Sequence, residues 1–274
     1  MKLWSGFFLI AALTIKCAAQ DTLPSDRADA TDPQATSSAP APNCPKKEIY
    51  GKGWVRFVPN VLRDQKQIWL FPVAIADGRH VKPTLTVIGI TAGLVALDPV
   101  SGRHFQNTES FQDFNRIFSG PNTALAMEIF PVAFYAVGLA RRDPDAQRTF
   151  LLAGEAVLSS EILTTVMKDT TRRLNPGEVP ENGDFSDTWF KKTQGSWIRG
   201  IGSFPSGHTI AAFSIATVFA KRYPQPRWVP YVAYSLATVI GFSRVTLQSH
   251  FPSDVFLGGA LGYTIANLAV HRGP

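Results

Sequence analysis

Residues 228–270 read WVPYVAYSLATVIGFSRVTLQSHFPSDVFLGGALGYTIANLAV: two apolar runs, Trp228 to Phe242 and Val255 to Val270, joined by a polar turn that carries Ser243, Arg244, His250 and Asp254. Neither run alternates apolar and polar residues with a period of two, and both are longer than an ordinary strand, so each reads as a helix. Pro252 suits the first turn of the second helix, because its missing N–H would be an orphan donor there and its φ is already helical. Asp254 then falls in that first turn and His250 just before it, near enough for a carboxylate and an imidazole to meet.

The same texture continues upstream, in Thr84 to Leu97, Thr123 to Ala140, Phe150 to Met167 and Thr209 to Ala220. The expected fold class is all-α, a bundle of about six core helices. With 45% hydrophobic and 18% charged residues in 274, a disordered, collagen-like or disulfide-stapled chain is excluded. A soluble bundle and a membrane bundle with inward-facing polar residues both remain. A bilayer span takes about 20 apolar residues, roughly 17 at least, so Thr84 to Leu97 is expected to be a core or interfacial helix. Glu128, Glu155 and Glu161 interrupt two of the longer segments. Arg141, Arg142 and Arg148 fill one short loop, Lys221, Arg222 and Arg227 another, and Arg272 follows the last segment. If those loops face the cytoplasm, five spans beginning near Thr123 put Met167, Phe204 and His250 together on the opposite side.

At the start, residues 1–19 have a Lys, an apolar run from Leu3 to Ile15 and small residues before a polar stretch, as a secretory signal does. Cleavage after Ala19 is the simplest expectation; an uncleaved anchor is the alternative, and Lys16 argues against a lipid on Cys17. Loss of the leader leaves Cys44 without an intrachain partner. Residues 20–47 are rich in Pro, Ala, Ser and Asp and lack apolar periodicity, so they read as a flexible linker ahead of a domain at 48–274.

Three short stretches carry chemistry. Lys168-Asp169-Thr170-Thr171-Arg172-Arg173-Leu174-Asn175-Pro176 closes one helix; it is either an anion-binding cluster or a solvated helix C-terminus placed favourably on the dipole. Phe204-Pro205-Ser206-Gly207-His208 opens the next, where free backbone N–H groups suit an anion, Ser206 adds a hydroxyl and Gly207 permits close approach; an ordinary N-cap with an exposed His is the alternative. In the third, Arg244 offers a planar fork for phosphate oxygens, and a carboxylate on one nitrogen of His250 would leave the other as nucleophile or base. A surface ion pair of Arg244 with Asp254 is the competing reading.

Taken in order, these stretches resemble the type 2 phosphatidic acid phosphatase and vanadium haloperoxidase superfamily, whose pattern is Lys-x6-Arg-Pro, Pro-Ser-Gly-His and Ser-Arg-x5-His-x3-Asp. The likeness covers about Glu155 to Val270. It implies a helical phosphatase domain in which His250 attacks phosphorus, Asp254 orients it, and His208 protonates the leaving alcohol and then activates water. Lys168, Ser206, Gly207 and Arg244 would hold the phosphoryl oxygens, with no metal or cofactor required. One position departs: the arginine before the proline is Asn175, which has neither charge nor fork, and Arg173, two residues upstream, is the expected substitute.

The resemblance implies a phosphate-ester or lipid-phosphate substrate, membrane association and an exported site at the inner membrane, with a soluble periplasmic form as the alternative. A slow enzyme or a phosphate-binding remnant is the alternative that Asn175 raises, and vanadate-dependent halide oxidation a further one. Nucleic acid is not expected as a partner: the basic residues are dispersed, for all the net charge of +6. Residues 177–203 either roof the pocket, with Trp189, Phe190 or Trp197 against an acyl chain or aryl group of the substrate, or serve only as a connector.

Overall fold

The computed structural model describes residues 52–191 and 200–271. The expected signal at 1–19, the linker at 20–47, Cys44 and Trp197 lie outside the described residues. Among those described there is no strand. The elements are α1 (Lys52–Ala76), α2 (Val81–Gln106), α3 (Gln112–Ile117), α4 (Gly120–Ala140), α5 (Pro144–Thr171), a 3-10 turn (Pro176–Glu178), α6 (Gly207–Arg222), α7 (Trp228–Thr246) and α8 (Pro252–His271).

The all-α expectation holds, and each of the six apolar segments lies within a helix. Two helices were not foreseen. The first, α1, contains Pro59 and Pro72 together with Arg56, Arg63, Asp64 and Lys66, which break up any apolar run. The second, α3, is only 6 residues long. Another correction concerns Thr84 to Leu97: it is part of the 26-residue α2, which continues through Asp98 and Pro99 and measures about 39 Å at 1.5 Å per residue. Its side chains Leu85, Ile88 and Leu97 point away from the bundle, so it is not a core helix. Among the described residues it is, with α4 and α5, one of three helices long and apolar enough to cross a membrane. Of the five expected spans, α4 and α5 meet that measure. The 16-residue α6 is too short for it and lies inside the bundle instead.

Helix ends follow local chemistry. Asp143 caps α5 by accepting from the N–H of Asp145 at 2.9 Å and of Ala146 at 3.2 Å, with Pro144 at the first helical position. At the other end Arg172 adopts a left-handed conformation and its N–H bonds back to the Lys168 carbonyl.

At the centre α6 packs against α8, α7 and α5. Its contact with α8 is made by small residues: a Cβ on Gly258 would stand 2.9 Å from the Ser206 carbonyl oxygen, and one on Gly262 would collide with the Ile210 carbonyl. Between apolar helices in an apolar solvent, close backbone approach and van der Waals contact replace the hydrophobic effect as the source of association. Ala153, Ala156, Val218, Ala266 and Ala269 complete this seam, and Ser214 hydroxyl links Ser160 at 3.1 Å to the Gly262 carbonyl at 3.3 Å. Outer faces of α1, α2, α4 and α7 expose Val55, Leu62, Leu85, Val100, Leu125, Val132, Tyr231 and Leu236.

Gly262→Val should force α6 and α8 apart and cost about 1–3 kcal/mol, the usual range for overpacking. Thermal unfolding in detergent should show a lower midpoint than wild type, with Tyr231→Ala on the outer face as the near-neutral control.

Candidate active site

Four helix ends and one strap converge. The C-terminal ends of α5 and α7 bring Lys168 and Arg244, while the N-terminal ends of α6 and α8 bring His208 and Asp254; His250 sits in the turn between α7 and α8. The strap after α5 is pinned by backbone bonds from Leu174 N–H to Thr188 at 2.9 Å, Phe190 N–H to Thr171 at 2.9 Å and Ser203 N–H to Arg173 at 2.8 Å.

His250 is 6% exposed. Its Nδ1 lies 2.7 Å from the Ser203 carbonyl oxygen. A carbonyl only accepts, so Nδ1 carries the proton and the neutral ring keeps its lone pair on Nε2. Asp254 had been expected to fill this place. Its Oδ2 is 3.8 Å from Nδ1, beyond hydrogen-bond range, because it accepts instead from Ser203 Oγ and, at 2.7 Å, from the Phe251 N–H. Ser203 therefore couples the two, its carbonyl on the imidazole and its hydroxyl on the carboxylate.

Behind Asp254 lies Arg173, 2% exposed. One terminal nitrogen donates to Asp254 Oδ1 at 2.6 Å and to Ser253 Oγ at 2.8 Å; the other donates to Asp98 Oδ2 at 2.6 Å. Trp189 and Phe251 cover its two faces, at 4.3 and 4.0 Å. Sequence reasoning offered Arg173 to the phosphate; here both ends of its fork are engaged by carboxylates. Trp189, expected against the substrate, instead packs on Arg173 and on Phe204, whose ring centre is 5.1 Å away; Phe190 is exposed. Asn175 begins the 3-10 turn, its own N–H bonded to Glu178 Oε2 at 2.9 Å.

On the other side, Arg244 is 1% exposed and its guanidinium is held by the Phe118 carbonyl, by Thr123 Oγ1 at 3.0 Å and by Ser243 Oγ at 2.9 Å. Gly120, the first residue of α4, offers its carbonyl to His208 Nε2 at a long 3.4 Å. Ser206 is fully buried, with its N–H on the Asp254 carbonyl at 3.1 Å and its hydroxyl accepting from Thr209 Oγ1 at 2.9 Å. Gly207 then opens α6, whose first N–H groups have no preceding turn to bond. Burial first, then Arg244, with lesser contributions from His250 and Lys168, pushes His208 down to about 4, against an opposing pull from the Gly120 carbonyl. Lys168 in turn lies within electrostatic reach of Glu161, Asp254 and Asp169.

Asp98, Ser203, Ser253 and the stretch from Phe118 into the first turn of α4 were missed by sequence reasoning. Only Asp98 left a signal there: an acid inside a long apolar helix is costly unless paired, which marks it as a residue with a partner. No group of His, Cys, Asp and Glu suited to a metal ion occurs among the described residues.

The fold and site define a helical bundle with two histidines and two cations at one end, backed by a buried ion-pair network. Residues 149–273 match the model of the PAP2 superfamily. Among curated proteins, the chain is similar to Lipid A 1-phosphatase of Porphyromonas gingivalis, 39% identical over 67 residues, 24% of this chain and 15% of that protein. It also resembles Lipid A 1-phosphatase of Rhizobium etli, 34% identical over 106 residues, 39% of this chain and 42% of that protein. The matches thus span less than half the length of these relatives. Among solved structures there is a likeness to a transmembrane PAP2 type phosphatidylglycerolphosphate phosphatase from Bacillus subtilis, with TM-score 0.45 and 19% identity, covering 69% of this chain and 94% of that one.

An anion entering the pocket would offset the positive charges that disfavour the imidazolium of His208. In histidine-labelled protein in micelles, its ring should titrate near 4 without ligand and move upward on addition of orthophosphate. An unmoved or lowered midpoint would contradict this account of the pocket.

Proposed function

We propose that the protein is a membrane-anchored phosphatase of phosphorylated lipids that works through a phosphohistidine on His250. The observation that carries this reading is convergence: Lys168, His208, Arg244 and His250 come from three separated stretches, yet Arg244, His250 and Lys168 all lie within electrostatic reach of His208. In the first step the Nε2 lone pair of His250 attacks phosphorus and the bond to the leaving oxygen breaks, while protonated His208 supplies that oxygen's proton. In the second, neutral His208 takes a proton from water, the water oxygen attacks phosphorus, and the bond to His250 breaks to release inorganic phosphate. Lys168, Arg244, Ser206 and the N–H groups opening α6 hold the phosphoryl oxygens, whose charge must be met by donors already in place.

A lipid substrate is supported by the apolar outer faces, by the three helices of spanning length and by the names of the relatives. The site faces the exported side in this reading. Its residues sit at the helix ends opposite the basic α4–α5 and α6–α7 connections, which the positive-inside rule places in the cytoplasm. Asn175 supports the competing reading of phosphate binding without turnover, since a neutral amide cannot replace a fork.

Purified protein should release inorganic phosphate from lipid A 1-phosphate or phosphatidic acid in mixed micelles faster than from p-nitrophenyl phosphate, and His250→Ala should remove the activity. Equal rates for both forms would end the mechanism, and phosphate binding by calorimetry with no turnover would establish the competing reading. Substitution of the two donors should separate them: Asn175→Ala removes at most a neutral hydrogen bond, about 1 kcal/mol or roughly fivefold in kcat/KM. Arg244→Ala removes a preorganised charge and should cost about a hundredfold or more.

A further inference from the structure

Helix α2 lies wholly outside the stretch that matches the superfamily, residues 149–273, yet its Asp98 reaches the network behind the nucleophile. Asp98 is fully buried and shares one guanidinium with Asp254, each carboxylate 2.6 Å from its own nitrogen of Arg173. It also receives the Ser253 hydroxyl and, at 3.3 Å, the Ser253 N–H, so it grips the first turn of α8 directly as well as through the arginine. From Asp254 the chain of bonds continues through Ser203 to the imidazole of His250.

We propose that Asp98 is a positioning residue for His250, acting through Arg173 and Asp254. The proposal rests on the reading of His250 as nucleophile given above. Two carboxylates and one guanidinium leave the buried triad with a net charge of −1. Were Asp98 absent, Arg173 would belong to Asp254 alone, and the carboxylate facing the histidine would be neutralised. Arg173 would also be free to swing off Asp254 Oδ1, releasing the α8 turn. With Asp98 present the guanidinium is held at both ends, so Asp254 stays fixed, yet the cluster keeps one negative charge beside the ring that must become positive as the phosphohistidine forms. Arg244 from α7 and Lys168 from α5 share with His250 the surroundings of His208, and Glu161 and Asp169 on α5 lie within electrostatic reach of Lys168. The triad adds its negative charge on the Asp254 side of the His250 ring.

The test compares wild type, His250→Ala, Asp98→Asn, Asp98→Ser and Asp98→Glu in the full chain in detergent. Each is measured for kcat, KM and the pH dependence of kcat/KM, with thermal unfolding as the folding control. The neutral variants should lose about tenfold to a hundredfold in kcat, as outer partners of an active residue commonly do, with KM within about twofold of wild type. Loss of one negative charge behind the nucleophile should move the acid limb of kcat/KM to lower pH. Asp98→Glu keeps the charge and should keep the wild-type limb while recovering part of kcat. Wild-type kcat and an unshifted limb in a folded neutral variant would overturn the proposal. So would failure of both neutral variants to fold, which would assign Asp98 to stability alone. Full activity in His250→Ala would instead sink the underlying reading, a separate and recognisable outcome.

Discussion

A guanidinium sealed from water stands between two carboxylates that come from distant parts of the chain, Asp98 on α2 and Asp254 on α8. An arginine cannot lose its proton in such a place, so its desolvation is offset only if every donor finds an acceptor in good geometry. Here the fork spans both acids, Ser253 and Thr188 take further N–H groups, and the rings of Trp189 and Phe251 pack on the guanidinium. Removing Arg173 would strand two buried carboxylates, a loss of several kcal/mol. The requirement ties α2, the strap after α5 and the start of α8 together, and the position of His250 depends on that junction.

Charge is zoned around the junction. Carboxylates lie behind His250, held by Arg173 and by the hydroxyls of Ser203 and Ser253. Lys168 and Arg244 lie around His208, with Glu161 within reach of Lys168. The backbone amides opening α6 add partial positive charge at the same end. Such a field favours an anion held near His208, and it disfavours protonation of His208 until one arrives. Arg244 can serve there because neutral oxygens, not a carboxylate, hold it in place. Arg173 is the contrasting case, with the same functional group engaged by acids and directed to the architecture of the site.

Close approach of α6 and α8 makes the arrangement compact enough to work. Gly258 faces the Ser206 carbonyl, and the Ser206 N–H meets the Asp254 carbonyl. The start of α6 is thereby keyed to the start of the helix that carries Asp254, and any residue larger than glycine at these crossings would separate the two histidine-bearing ends.

Much of this was legible in the chain itself. Long apolar runs without alternation could bury their backbone only as helices, Pro252 and Gly207 marked where two of them begin, and His208, Arg244, His250 and Asp254 stood out because polar residues flanking such runs lie at helix ends. Linear order could not show that Asp98 and Pro99 fail to end α2, since the charge that would break an isolated apolar helix is neutralised by an arginine 75 residues away. Nor could it tell Arg173 from Arg244. One faces two acids and the other faces carbonyl and hydroxyl oxygens, a difference set by which helices lie alongside. The same holds for the Ser203 carbonyl on His250: a backbone oxygen has no residue identity to read, and only the folded path of the strap brings it within reach of the ring.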